Sequence, residues 1–460
     1  MSLEALAREL AALAGAENVY THEADLHAYS YDAAVLKEVR PGVVVRPTRG
    51  EDLGRVVALC NREGLPLTVR GAGTNLSGGT VPEAGGVVAL TSGLNRILEI
   101  NPADLYAVVE PGVVTAALAK AAAGRGLFYP PDPGSQAVST LGGNVAENSG
   151  GLRGLKYGVT RDYVLGLEFW GVDGGLVKTG AKTVKCATGY NLAALMVGSE
   201  GTLGVVNRIT LKLIPPPRAS RAMVAVYHSL QGASQTVAAI IAAHIIPVTL
   251  EFLDSFTIRT VEEYAGVGLP TDAAALLLIE VDGHPAQVEE EARQVEAICR
   301  QEGAAGVQVA ADAAQRDRIW EARRAAIPAL ARLRPTTWLE DATVPRSRIP
   351  ELVAAISDIS RRYRLTIGTF GHAGDGNLHP TILLDKRDAG EMARLEEARG
   401  ELFAKAVELG GTLSGEHGLG LVKTGHLVEE VGRATIAWSR RLKAALDPKG
   451  ILNPHKAIGD

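Results

Sequence analysis

Residues 69–79 read VRGAGTNLSGG, a run that leaves the β-rich stretch LPLTVR (65–70) and places four glycines in eleven positions. Glycine lets backbone N–H groups converge on an anion with no Cβ in the way. Gly71 and Gly73 form the G-x-G that opens a dinucleotide fingerprint, but Leu76 stands where its third glycine belongs. Ser77-Gly78-Gly79 then follow where the helix of a doubly wound sheet should begin, so the context is wrong for that fold. No G-x-x-x-x-G-K-[ST] loop is present either. A second cluster, GSQAVSTLGGNVAENSGG, spans 134–151. Two such clusters could embrace a pyrophosphate from both sides; either one alone reads as readily as a set of tight turns.

Around these clusters, from Val43 to Leu213, strands and helices alternate. GVVVRP (42–47) is a short β-rich run, and TRGEDLGRVVALCNREG (48–64) predicts a helix with a capping box at Thr48 and Glu51 and a stop at Gly64. LYAVVEPG then VVTAALAKAAAGRG repeat the strand and helix pattern. Pro215, Pro216 and Pro217 make a stiff linker, which sets the first domain at 1–217. From 218 to 410 the strands AMVAVYHS, VTLEFLD and ALLLIEVDG and the helix PAQVEEEARQVEAICRQEG predict an α+β layer, one antiparallel sheet covered by helices, with two halves of ferredoxin-like type. The stretch 411–460 is glycine-rich again and reads as a return to the first domain.

The chain has 460 residues, too many for one core. Its 46% hydrophobic and 22% charged content is that of an ordinary globular protein, and its net charge of −5 lacks the clustered cations that nucleic acid needs. Cys60, Cys186 and Cys299 lie far apart, so they form no iron–sulfur motif and no disulfide framework. The N-terminal stretch MSLEALARELAALAG is an amphipathic helix carrying charges, unlike a signal peptide. TVAAIIAAHIIPVTL is too short to span a bilayer and is interrupted by His244 and Pro247. A cytoplasmic protein is expected, with peripheral attachment at the inner face of the membrane left open.

Residues 371–379, GHAGDGNLH, hold two imidazoles beside a glycine-rich turn. Asp375-Gly376 favours a hairpin that would set His372 and His379 side by side. They are either an exposed turn or two ligands of a divalent cation, which needs three protein donors and an open position.

PLTVRGAGTNLSGG (66–79), PPDPGSQAVSTLGGNVAENSGG (130–151), TGYNLAALMVGSEGTLGVV (188–206), GHAGDGNLH, GEHGLG (415–420) and DPKGILNP (447–454) occur in this order. Together they resemble the FAD-linked oxidase family typified by D-lactate dehydrogenase, D-2-hydroxyglutarate dehydrogenase and the flavin-carrying chain of glycolate oxidase. The resemblance runs from about Tyr29 to the end. It implies an α+β fold, with a two-subdomain FAD-binding domain of the vanillyl-alcohol oxidase type and an α+β cap with an antiparallel sheet.

By the same resemblance Arg70, Gly71, Ala72, Gly73, Thr74 and Asn75 wrap the FAD pyrophosphate, joined by Gly142, Gly143 and Asn144. Ser135 and Thr140 supply hydroxyls, and Asn148 and Gly151 lie near the flavin. Glu200, Gly201 and Val206 line the adenosine end, and Asn453 sits near the isoalloxazine. Thr74 occupies the place where some relatives attach flavin through histidine, so FAD is expected to be non-covalent. GHxGDGNLH and GEHG imply His372, His379 and Glu416 as ligands of a divalent metal. Imidazole and carboxylate donors suit Zn, Mn or Fe(II) alike.

This site predicts oxidation of a D-2-hydroxy acid to the 2-oxo acid, the hydride passing to flavin N5. His417 is the candidate base, and the family's W-x-x-R pattern implies Arg323, three residues after Trp320, as the carboxylate clamp. Arg324 reads as a solvated neighbour, and Lys423 as a surface residue. Dicarboxylate-specific relatives carry a cation two positions before an aspartate of a later cap strand; here Leu339 precedes Asp341. That favours D-lactate or glycolate over D-2-hydroxyglutarate. Electrons must leave to an external acceptor: an iron–sulfur subunit, a quinone or an electron-transfer flavoprotein. A homodimer is compatible with the sequence. The rival readings are a metallohydrolase with glycine loops for a phosphorylated substrate, and a non-catalytic flavin subunit of an electron-transfer complex.

Overall fold

The computed structural model describes residues 1–36 and 38–459. They divide into two units: residues 1–150, 159–216 and 416–460 form one, and residues 151–158 and 217–415 form the other. The short insert 151–158 belongs to the second unit because Lys156 and Tyr157 both reach Asp282, Nζ to Oδ1 at 2.6 Å and the phenol to Oδ2 at 2.7 Å.

The first unit holds two sheets. Strands β1 (Val19–Tyr20), β2 (Val43–Val45), β3 (Leu67–Arg70) and β4 (Val87–Leu90) assemble in the order β1-β2-β4-β3, and β4 runs parallel to both β2 and β3. The all-valine β2 is buried throughout, as a parallel strand covered on both faces must be. The crossover helix Gly50–Glu63 buries Leu53, Val56, Val57 and Cys60, the i, i+3, i+4, i+7 stripe of a helix lying on a sheet. Each such side chain contributes about 1.5–3 kcal/mol. Its left-handed stop at Gly64 (φ 66°) is present, but the capping box at Thr48 and Glu51 is not. The helix starts at Gly50 behind Arg49, with no side-chain cap. The tail returns here: Leu452 bridges Leu67 in parallel at the free edge of β3.

The second sheet, β5 (Ile97–Asn101), β6 (Tyr106–Val109), β7 (Val164–Trp170), β8 (Leu176–Gly180) and β9 (Val205–Lys212), is antiparallel in the order β5-β6-β9-β7-β8. In β9 the buried residues Val205, Asn207, Ile209 and Leu211 alternate with more exposed ones, the period of a sheet packed on one face. Ile209 and Leu211 close on a core including Leu118 and Val145, from the helices Thr115–Ala123 and Leu141–Glu147, whereas Val205 joins the core of the first sheet.

The second unit is built on one eight-stranded sheet: β10 (Ala219–Tyr227), β11 (Thr249–Asp254), β12 (Ala275–Gly283), β13 (Gly306–Val309), β14 (Thr336–Leu339), β15 (Ala342–Thr343), β16 (Thr366–His372) and β17 (Asn377–Leu384). Its path is β13-β10-β12-β11-β16-β17-β14, with β15 also on β17. The first four strands carry the fourth-first-third-second order of a ferredoxin-like half, and β14/β15, β16, β17 and the Thr412 bridge to Thr343 repeat it. The halves join where β11 pairs with β16. On one face Leu253, Leu276, Leu278 and Phe370 pack against the helices Ser255–Ala265, Ala313–Arg324 and Ala326–Ala331. No helix among the described residues is long and apolar enough to cross a membrane.

Candidate functional site

In the first unit the two glycine clusters meet. The loop after β3 brings Gly71 so close to Thr140 that a Cβ at 71 would lie 2.2 Å from Thr140 Oγ1. Thr140 is the N-cap of the helix Leu141–Glu147, its hydroxyl accepting from Gly143 N at 3.3 Å. Gly142 packs flat on Pro111, where a Cβ would sit 2.6 Å from the proline Cβ. Arg70 is buried and donates to Tyr31 O at 2.6 Å, and Asn75 Nδ2 donates to Asp32 Oδ2 at 2.5 Å. Asn144 reaches Thr115 Oγ1 at 2.7 Å. Thus Arg70–Asn75, Thr140 and Gly142–Asn144 form one glycine-lined locus. Ser135 lies in the turn before it, its carbonyl accepting from Val138 and Ser139.

Asn148 ends that helix in the left-handed region (φ 53°), its Oδ1 accepting from Arg161 N at 2.9 Å. Gly151 falls in the insert assigned to the second unit. Asn453 Nδ2 donates to Gly79 O at 2.8 Å and to Glu200 O at 2.6 Å, so the tail is tied to both the first loop and the Glu200–Gly201 turn. Val206 sits in β9 opposite Phe169. The Glu200 carboxylate accepts from Leu419 N at 2.8 Å and Gly420 N at 2.7 Å. Lys423, expected at the surface, is 3% exposed. Glu416 lies against Gly150, where a Cβ would be 2.7 Å from its Oε2, and its Oε1 is 3.9 Å from His417 Nε2.

In the second unit the predicted hairpin forms, with Gly376 (φ 92°) at its turn. Phe370 pairs with His379 and His372 with Asn377, so the two imidazoles occupy diagonal positions on one sheet face. Their ring centroids are 5.1 Å apart and nearly perpendicular, and a ligand nitrogen of each lies within 4.8 Å of the other's. Both are buried, at 7% and 3% exposure, which excludes the exposed-turn reading.

Sequence reasoning missed Glu251. It is a carboxylate in the middle of the apolar strand β11, fully buried, with Oε1 2.7 Å from His372 Nδ1 and Oε2 2.5 Å from Arg323 Nε. Burial would raise its pKa, but the charges and hydrogen bonds of His372 and Arg323 outweigh that and hold the carboxyl at about 2. An acidic residue inside VTLEFLD was the available signal, since a charge on a buried strand requires a partner. A neutral His372 that donates its Nδ1 proton to Glu251 would present Nε2 with its lone pair, the tautomer a metal ligand uses. The donor chemistry therefore fits a divalent cation.

Arg323 Cζ lies 4.7 Å from the Phe370 ring, and its terminal nitrogens make no hydrogen bond among the described residues. Arg324 is exposed. Asp341, Oδ1 3.8 Å from His379 Nδ1, is held through Oδ2 by Ser414 Oγ at 2.8 Å. The chain leaves this unit at Gly415, packed on Thr343 and on Asn377, the partner of His372 in the hairpin; Glu416 is the next residue.

Residues 41–180 match the family described as FAD binding domain, and residues 216–457 the family described as FAD linked oxidases, C-terminal domain. The chain is 50% identical over 97% of its length to "Glycolate oxidase subunit GlcD" of Bacillus subtilis, covering 95% of that protein. It is 36% identical over 92% of its length to "D-lactate dehydrogenase" of Anaerostipes hadrus, covering 91% of it. Among solved structures, p-cresol methylhydroxylase with substrate bound superposes with a TM-score of 0.82 over 99% of this chain and 97% of that one, at 16% identity. That likeness carries the fold alone, and it matches the expected vanillyl-alcohol oxidase type. The domain matches and the two relatives together assign this chain to the FAD-linked oxidases, and it is an oxidoreductase of that family.

Proposed function

We propose that this protein oxidises a small D-2-hydroxy acid, glycolate or D-lactate, to the 2-oxo acid, using non-covalent FAD and a divalent cation held by His372, His379 and Glu416. The observation that carries this reading is the buried Arg323–Glu251–His372 chain, which sets a carboxylate-binding cation beside a ligand-competent imidazole. The names of the two relatives support the substrate class.

Arg70 to Asn75 hold the FAD pyrophosphate through main-chain amides, with Gly142, Gly143 and Asn144 closing the other side. Ser135 and Thr140 would add hydroxyl donors, and Asn148, Gly151 and Asn453 would hold the flavin. Gly201, Val206 and the main chain of Glu200 line the adenosine end. Thr74 offers no nucleophile comparable to histidine, which leaves the flavin dissociable. FAD, when bound, would supply a two-electron acceptor for the Cα hydride. The cation, when bound, supplies Lewis acidity that lowers the pKa of the substrate hydroxyl.

Arg323 grips the substrate carboxylate through its terminal nitrogens and fixes Cα in one orientation. His417 receives the hydroxyl proton. Leu339, registered opposite Thr381 on the sheet face that carries His379, presents an apolar side chain where a dicarboxylate would need a cation. Glu340 is occupied elsewhere, bonded to Trp338 Nε1 at 2.7 Å and Arg399 Nε at 2.5 Å. Both features support a small acid over D-2-hydroxyglutarate. Electrons leave to an external acceptor, an iron–sulfur subunit, a quinone or an electron-transfer flavoprotein. The word subunit in a relative's name supports a partner chain for this step.

The test is anaerobic reduction of the purified yellow protein. Glycolate or D-lactate bleaches the flavin absorbance, with L-lactate and D-2-hydroxyglutarate slower by about tenfold or more, equivalent to about 1.4 kcal/mol of discrimination. Fastest bleaching by D-2-hydroxyglutarate, or none by any acid, overturns the proposal.

A further inference from the structure

Glu200 is 6% exposed and sits in the left-handed region (φ 51°), a conformation that a non-glycine residue keeps only when its surroundings enforce it. Its backbone is fixed on both sides, N donating to Ala146 O at 2.9 Å and O accepting from Asn453 Nδ2 at 2.6 Å. The carboxylate that this geometry aims inward receives two consecutive main-chain amides, Leu419 and Gly420. Leu421 N donates in turn to Ser77 O at 2.8 Å.

The segment Gly418–Gly420 lies directly on the carboxylates of half-buried Glu147 and buried Glu200. A Cβ at 418 would be 2.0 Å from Glu147 Oε2 and 3.1 Å from Glu200 Oε1, and one at 420 would be 2.1 Å from Ser77 O. Glycine at both positions is thus explained by contact with the acids and the first loop. Burial, together with the Glu200 charge, pushes Glu147 well above the usual carboxylate range. Burial also raises Glu200, against which the Leu419 and Gly420 amides and Lys423 favour its charge. Two main-chain amides on one carboxylate are the contacts that favour its charged form, and they fall on Glu200.

We infer that Glu200 is a positioning residue, whose carboxylate clamps the Leu419–Gly420 turn and so fixes Glu416 and His417, the residues just ahead of that turn. This rests on the proposed role of Glu416 as a metal ligand. It gives the Glu200 side chain a task separate from lining FAD.

The experiment uses the FAD-loaded full chain with Zn(II) alone as probe, comparing wild type, E200A, E200Q, E416Q and E200A/E416Q. Three quantities are read: flavin content, zinc affinity, and kcat with KM on the best acid. E200A is expected to keep its flavin, weaken zinc about 10–100-fold and lower kcat, the scale of residues that orient metal ligands. E200Q, which retains one carbonyl acceptor and the same shape, loses less; it also serves if E200A does not fold. In the double variant, removal of Glu200 adds nothing to the E416Q loss, because it acts through Glu416. Full additivity, or flavin loss with zinc affinity unchanged, overturns the inference while leaving the metal site intact. Unchanged zinc affinity in E416Q overturns the metal-site reading itself, and the inference with it.

Discussion

Glu251 and His372, 121 residues apart in sequence, meet across β11 and β16 with Oε1 2.7 Å from Nδ1, and the same carboxylate holds Arg323 through its other oxygen. One buried carboxylate thereby holds both an imidazole nitrogen and a guanidinium. Its removal should disturb both metal and substrate.

Substituting Glu251 by glutamine keeps the shape but removes the charge. Zinc affinity and kcat/KM should each fall about 10–100-fold. The visible flavin spectrum should persist, because Glu251 belongs to the unit that does not contain the glycine loops. Zinc titration of the flavin-loaded variant checks this.

Arg323→Lys retains a cation for Glu251 but loses the planar fork. A charge-assisted hydrogen bond is worth about 1.5–3 kcal/mol, so KM for the hydroxy acid should rise roughly 10–100-fold. Steady-state kinetics that show a change in kcat with KM constant would contradict a substrate-binding role.

Gly142→Ala introduces a methyl against the rigid ring of Pro111 at 2.6 Å. Forced packing of this kind costs about 1–3 kcal/mol, which lowers Tm by about 2–4 °C per kcal/mol in a unit of this size. Because the strain falls where the two glycine clusters meet, flavin occupancy should drop with it. Differential scanning calorimetry and the ratio of flavin to protein absorbance measure the two effects.

The thiols give a check on packing alone. Burial pushes Cys60 up to about 12 and Cys299 up to about 11, whereas Cys186 is exposed. At pH 8 the buried thiolate fractions are about 10⁻⁴ and 10⁻³, so a disulfide reagent should titrate one thiol in the native protein and three after denaturation. Each pH unit raises those fractions tenfold, so they become substantial only near the two pKa values.

The fold and the hairpin that brings His372 and His379 together were legible because their signals are local. Asp375-Gly376 in a glycine-rich run marks the hairpin, and Gly64 marks a helix end, each through the backbone geometry it permits. What escaped depends on distant neighbours. The helix expected to begin at Thr48 begins at Gly50, where a Cβ would lie 2.2 Å from Asn207 Oδ1 of β9; a residue remote in sequence lies against its first turn. Lys423 is buried rather than exposed, within the field of the buried acid Glu200. Glu251 looked like one residue of an apolar strand, since its partners lie 72 and 121 residues away.

The central claim is that a cation on His372, His379 and Glu416 activates the acid whose hydride the flavin accepts. The most direct measurement is anaerobic flavin bleaching by glycolate or D-lactate in three samples: as purified, after verified metal removal with flavin retained, and after restoring Zn, Mn or Fe(II). Bleaching should slow by at least about 100-fold on removal, the scale of several kcal/mol of Lewis-acid stabilisation, and recover with one of the added ions. Equal bleaching rates in the first two samples would contradict it.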